Sequence, residues 1–144
     1  MKYLVKFIKL PLRIKIIFTE AYILLGYSRL IILLFQFKHI AKRLGDYNKE
    51  SEFVNERVDI SKIQRVTLAI RVVSAHTFWR NNCLVQAYAG KLMLNRRNLS
   101  NTLYIGVGKD EEGKMIAHAW LRCGSTFVTG GNGEKFTITG KFTS

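Results

Sequence analysis

Acidic residues are what this chain has least of. Ten Asp and Glu stand against 23 Lys and Arg in 144 residues, a formal net charge of +13. An excess of that size favours anionic partners such as nucleic acid, acidic lipid headgroups or an acidic peptide, and does not choose among them. Cysteine is scarce too: Cys83 and Cys123 are the only two, and they form no CxxC pair. Two thiols so placed neither demand a disulfide nor build a zinc site, which takes about four ligands. A free nucleophilic thiol survives best in a reducing compartment, so a cytoplasmic location is expected. No small-residue cleavage site follows the apolar N-terminal run, which argues against a signal peptide. The longest apolar stretch, residues 22–37, contains Gly26, Ser28 and Arg29 and falls short of the roughly 20 clean apolar residues of a spanning helix. Neither GxxxxGK[ST] nor GxGxxG leads from a strand into a helix, so no phosphate loop and no cofactor are expected. No repeat and no low-complexity tract occurs.

What is present is a chain that can fold: 48% of its residues are hydrophobic, and its length suits a core of ordinary size. The charge is unevenly spread. Residues 1–45 carry Lys2, Lys6, Lys9, Arg13, Lys15, Arg29, Lys38, Lys42 and Arg43 against Glu20 alone. There Leu12, Ile16, Ile23, Leu30 and Leu34 recur at helical spacing with basic residues between them, the pattern of amphipathic helices packed on a core or docked to a partner or membrane surface. Pro11, the single proline, either interrupts an opening segment or sits in the first turn of the next helix. A polar linker, residues 46–57, separates this extension (1–57) from a second region, 58–144.

In the second region Ile60, Ile63, Val66, Ile70 and Val73 share one face of a helix over 59–75, with Asp59 or Ser61 as its cap. Another helix starts near Cys83 and runs to about Arg96. The period then changes: strands are expected over 103–107, 116–123, 126–129 and 136–142, with Gly130, Gly131 and Gly133 punctuating the last two. Helices first and strands afterwards indicate an α+β fold with an antiparallel meander.

The chemistry centres on Cys83 and His118. Cys83 lies at a predicted helix start, where backbone N–H groups and the helix dipole favour the thiolate, with Arg80 nearby. His118 lies mid-strand in Ile116-Ala117-His118-Ala119-Trp120-Leu121, on one face with Ile116 and Trp120. A helix N-terminus packed on a sheet edge can bring imidazole to sulfur and so activate a nucleophile for acyl transfer. The bland alternatives are a buried cysteine and a satisfied core histidine. Cys123 ends a strand, faces away from His118 and reads as structural. Trp79, Asn82 and Gln86 are the side chains near enough in sequence to help an oxyanion hole. Arg96 and Arg97 suit the end of a helix and need no ligand.

Several short motifs in order resemble a known family: Cys83-Leu84-x-x-Ala87, Met93-Leu94-Asn95-Arg96-Arg97, Leu103-Tyr104-Ile105-Gly106-Val107, Ala117-His118-Ala119-Trp120 and Val128-Thr129-Gly130-Gly131. Together they are similar to the lasso-peptide leader peptidases, the transglutaminase-like B proteins of lasso-peptide biosynthesis. The resemblance covers most of residues 79–131; Leu10-Pro11 and Ala41-Lys42-Arg43-Leu44-Gly45 are also similar to that family's N-terminal extension. It implies a papain-like or transglutaminase-like core, with Cys83 as nucleophile and His118 as base, cutting one peptide bond between leader and core of a precursor peptide. The implied partners are the precursor, a leader-recognition protein and a separate lasso cyclase; peripheral association with the inner face of the membrane is a further expectation. The family has an Asp after its His, and this chain has none between His118 and Ser144. Asn132, Glu134 or a backbone carbonyl could orient the imidazole instead, with Asn132 preferred over Glu134, although Gly-Gly-Asn-Gly also suits a plain turn. The competing readings are a non-enzymatic cationic membrane-surface or partner-binding protein, and an enzyme of the same thiol chemistry that exchanges amides. A nucleic-acid binder is disfavoured because the aromatics form no stacking platform and no known binding motif appears.

Overall fold

The computed structural model describes residues 2–53 and 59–144. The end of the expected linker, and with it the boundary placed between residues 57 and 58, lies outside them. Three helices open the chain: α1 (Lys2–Ile8), α2 (Leu12–Leu34) and α3 (Phe37–Ala41). Pro11 falls at the break between α1 and α2, with φ −58° and ψ 147°, and its carbonyl accepts from Ile14 and Lys15. Two further helices follow, α4 (Ile60–Ser74) and α5 (Cys83–Asn95). Asp59 caps α4 by accepting from the Ser61 backbone N–H at 3.0 Å, and Asn82 caps α5 by accepting from Val85 at 2.9 Å.

The sheet comprises β1 (Asp46–Tyr47), β2 (Thr102–Lys109), β3 (Met115–Cys123), β4 (Thr126–Thr129) and β5 (Thr137–Thr143), in the order β1-β5-β2-β3-β4 with every pair antiparallel. The expected meander therefore holds only for β2 to β4. β5 does not continue past β4 but returns to the free edge of β2, and β1, drawn from the supposed linker, pairs with β5. Register in the central pair sets Ile105 opposite Ala119 and Gly106 opposite His118.

Helices α4 and α5 pack on one sheet face and α2 packs across them, around Leu25, Ile63, Ile70, Val85, Met93, Leu103 and Leu121. The contact of α5 with β3 depends on a missing side chain: a Cβ on Gly90 would meet Leu121 Cδ2 at 2.8 Å. On the opposite sheet face lie Tyr104, Trp120, Arg122 and the Phe136 ring, Tyr104 stacked on Trp120 with centroids 5.4 Å apart. Arg122 is fully buried there. It donates to the Tyr104 hydroxyl and to the carbonyls of Ser51, Glu52 and Gly124, and its guanidinium sits 3.6 Å over the Phe53 ring. Tyr104 in turn donates to Glu50 at 2.6 Å. One arginine thus fastens the 50–53 segment across this face.

The face of α2 that packs is not the one its spacing suggests. Leu12, Ile16, Ile23, Leu30 and Leu34 are 58–73% exposed, whereas Ile17, Ala21, Leu25 and Ser28 are buried against α4 and α5. At about 100° per residue the two sets lie on opposite sides of one cylinder. The helix is apolar on both, so periodicity alone could not say which side turns inward. Glu20 fixes the answer: it accepts from Arg96 at 2.9 Å and from Arg97 at 2.6 and 3.0 Å, tying α2 to the end of α5. Burial opposes the Glu20 charge, but the hydrogen bonds and charges of Arg97 and Arg96 outweigh it and hold its carboxyl below the ordinary value. By length and composition α2 could cross a membrane, a stronger apolar signal than residues 22–37 gave. Here its Ala21 and Leu25 are wholly buried within the protein.

Candidate active site

The loop before α5 is rigidly tied. Asn81 donates to the Ser74 carbonyl and to Thr77 Oγ1, and its Oδ1 accepts from Trp79 Nε1 at 2.8 Å. Its backbone carbonyl accepts from Gln86 Nε2 at 3.2 Å. Trp79, one of the three side chains suggested for an oxyanion hole, thus spends its only donor on this loop, and Gln86 spends one of its two. Asn82 uses its Oδ1 as the cap, and its exposed amide nitrogen makes no hydrogen bond among the described residues. The loop delivers Cys83 to the first position of α5, half-buried, with its sulfur unengaged by any hydrogen bond among the described residues. Tyr22 and Phe78 both meet Trp79 edge-on, with centroids 5.0 and 4.7 Å away, so aromatic surface stands beside the thiol loop. Phe78 is 90% exposed.

The other cysteine is different. Cys123 is buried, its thiol donates to the Ser100 carbonyl at 3.4 Å, and burial pushes its pKa up despite the neighbouring Arg122 charge. A thiol held neutral in apolar surroundings is inert.

His118 is held by one backbone group. Its Nε2 lies 2.7 Å from the Gly130 carbonyl, which can only accept, so Nε2 is the donor, and Nδ1 makes no hydrogen bond among the described residues. The ring stacks on Phe136 at 4.6 Å and lies 5.9 Å from Trp120. Gly130 can present its carbonyl there because of its φ of 76°; a Cβ would collide with the Ala119 carbonyl oxygen. Asn132 does not touch the imidazole. It is exposed, and its Oδ1 accepts from the Glu134 backbone N–H at 3.2 Å, which makes it a turn residue. The sequence signal for the Gly130 role was the Gly-Gly pair after β4, legible as a turn but not as an acceptor.

Helix α5 and strand β3 run in the same direction, since Lys91 and the end of β3 both lie at the Ser100–Thr102 end of the sheet. From the Gly90–Leu121 contact, Cys83 is seven residues back along a helix and His118 three back along a strand, about 10 Å in each case. By this count the two lie at about the same height along α5 and β3. Their side chains are not joined: Ala119 and Leu121 face the helices, while His118 shares the opposite face with Trp120. β4 ends at Thr129, opposite Leu121, so among the described residues no strand pairs with this edge of β3 at the level of His118.

This is an α+β protein with a thiol at a helix start and an imidazole mid-strand on the sheet face away from the helices. A profile of the Transglutaminase-like superfamily matches residues 31–140, and the chain belongs to that superfamily. No curated protein and no solved structure matches it significantly. The matched span includes Cys83, His118 and Gly130, together with the last turn of α2, which places the end of the basic helical segment inside the family domain.

Proposed function

We propose that this chain is a cysteine peptidase that removes the leader from a lasso-peptide precursor, with Cys83 as nucleophile and His118 as base. What supports the reading is an unengaged thiol at a capped helix N-terminus and, on the neighbouring strand, an imidazole whose Nε2 is fixed by the Gly130 carbonyl, both within the matched family span. Nδ1 is left as the nitrogen that can accept the thiol proton. His118 lies on the sheet face away from Cys83, so the ring must swing over the β3 edge, past the flanking Gly130 backbone, to meet sulfur. Catalytic hydrogen bonds often tighten only when substrate is bound. The papain-like division of labour then follows. Thiolate attacks the scissile carbonyl, imidazolium returns its proton to the departing amine, and water hydrolyses the thioester to free the leader carboxylate and regenerate the thiol. Gly130 takes the orienting part that an Asp has in the lasso-peptide family, and Asn132 keeps only its turn role. The Cys83 backbone N–H at the start of α5 and the Asn82 amide, unused by any hydrogen bond among the described residues, are the donors this reading assigns to the oxyanion.

The test is mass spectrometry of a lasso precursor encoded beside this chain, incubated with the chain and its leader-binding protein. The expected products are leader and core peptides whose masses sum to the precursor plus one water. Cys83→Ala and His118→Ala should each abolish them while circular dichroism stays unchanged. Cleavage by Cys83→Ala overturns the proposal, and a product carrying an added amine in place of water points to amide exchange.

A further inference from the structure

The outward side of α2 is an apolar stripe that no element among the described residues covers. Leu12, Ile16, Ile23, Leu30 and Leu34 lie along it over a helix of 23 residues, about 35 Å long. Tyr27 falls on the same line and is also exposed, and α1 adds exposed Leu4, Val5 and Ile8 at its N-terminal end. An apolar run of this length on the surface marks an interaction site.

The charges around it narrow the occupant. Basic groups gather at both ends of the stripe: Lys2, Lys6, Lys9, Arg13 and Lys15 at one, Arg29, Lys38, Lys42 and Arg43 at the other. None of the nine pairs with a carboxylate among the described residues. The one acid of this region, Glu20, lies on the flank of the stripe and is consumed by Arg96 and Arg97. A second copy of the chain brought onto the stripe would set like charge against like charge. A spanning arrangement would strip Ala21 and Leu25, both fully buried, from the core they share with α4 and α5. We propose that α2 lies flat on an anionic lipid bilayer, its outer stripe in the acyl boundary and its terminal Lys and Arg side chains among the headgroups. Long basic side chains suit that position because their stems stay in the apolar zone while their charges reach the phosphates. The buried stripe holds the rest of the molecule on the water side.

This inference does not depend on the peptidase reading. Its test is co-sedimentation of the full chain with vesicles of phosphatidylcholine containing 30% phosphatidylglycerol, and with phosphatidylcholine alone. The expected result is binding to the anionic vesicles, weaker in 0.5 M salt and to the neutral vesicles. Ile23→Glu combined with Leu30→Glu should weaken it about tenfold or more, because each change replaces a lipid-buried apolar group with a like-charged acid. Lys6→Glu with Lys9→Glu, at exposed sites in α1, supplies a second variant that leaves α2 untouched and should weaken binding too. Ile138→Glu, an equally exposed apolar site on β5, should have no effect. Absence of binding to anionic vesicles, equal loss in Ile138→Glu, or a wild-type dimer in solution that Ile23→Glu with Leu30→Glu dissolves would each overturn the proposal.

Discussion

Lys91 gives the sharpest stability prediction. It is 1% exposed on the inner side of α5, with its Nζ donating to Asn101 Oδ1 at 3.0 Å, the Phe142 carbonyl at 3.3 Å and Ser144 Oγ at 2.8 Å. No carboxylate partner is among these groups. Burial pulls its pKa from 10.5 down to about 8. Between those two values the unfolded chain holds a proton that the folded chain has released, so stability rises with pH across that window. Below about 8 both states are protonated and the gain vanishes. At pH 9.5 the gain over pH 7 works out at about 2 kcal/mol, or about 1 M in the urea midpoint for an ordinary slope. Tyr88, Tyr104 and Cys123 pull the other way: burial raises their pKa values, so the unfolded chain ionises first as pH rises. The readout is therefore a difference between urea titrations of the wild type and of Lys91→Met at both pH values. The variant leaves three acceptors unfilled and should be less stable at pH 7 by about 1–3 kcal/mol, with the gap widening by about 2 kcal/mol at pH 9.5. Parallel behaviour of the two proteins between pH 7 and 9.5 would refute the reasoning.

Three further outcomes are expected. Glu20→Gln should cost about 1–3 kcal/mol near neutral pH, since two arginines lose their acid, and should flatten the fall in stability as pH drops below 4.5; acid titration of unfolding in wild type and variant checks both. Arg122→Ala should cost about 3–5 kcal/mol in thermal or urea unfolding, because the carbonyls of Ser51 and Gly124 and the Tyr104 hydroxyl lose a buried donor. Gly130→Ala should cost about 1–3 kcal/mol and also lower precursor cleavage, because the backbone that holds His118 cannot keep a φ of 76° against the Ala119 carbonyl; cleavage at the wild-type rate would detach Gly130 from the chemistry.

The parts of the fold legible in the sequence were those with a single period and a clear stop. α4 and α5 were readable to within a residue or two from apolar spacing, α4 also from its Asp59 cap, and β2 to β4 from short β-prone runs between glycines, whereas the Asn82 cap of α5 emerged only in the structure. What escaped was long-range. β5 is as strand-like as its neighbours, but nothing local says it crosses back to β2, and Asp46–Tyr47 becomes a strand only because β5 offers it an edge. α2 misled because both of its sides are apolar, so the inward one is chosen by tertiary contacts such as Glu20 with Arg97. At the candidate site the two chemical side chains were legible from residue type and context. The group that orients His118 was not, because a main-chain carbonyl leaves no mark on the residue alphabet.

The central claim is that the Cys83 sulfur and the His118 ring act as one unit, and it is tested most directly by alkylation. Wild type and His118→Ala are treated with iodoacetamide at pH 7, and modification of Cys83 is followed by mass spectrometry with buried Cys123 as the internal reference. A coupled pair predicts rapid labelling of Cys83 that falls about tenfold or more without the imidazole, while Cys123 stays unlabelled in both. Equal labelling of Cys83 in the two proteins would contradict the account.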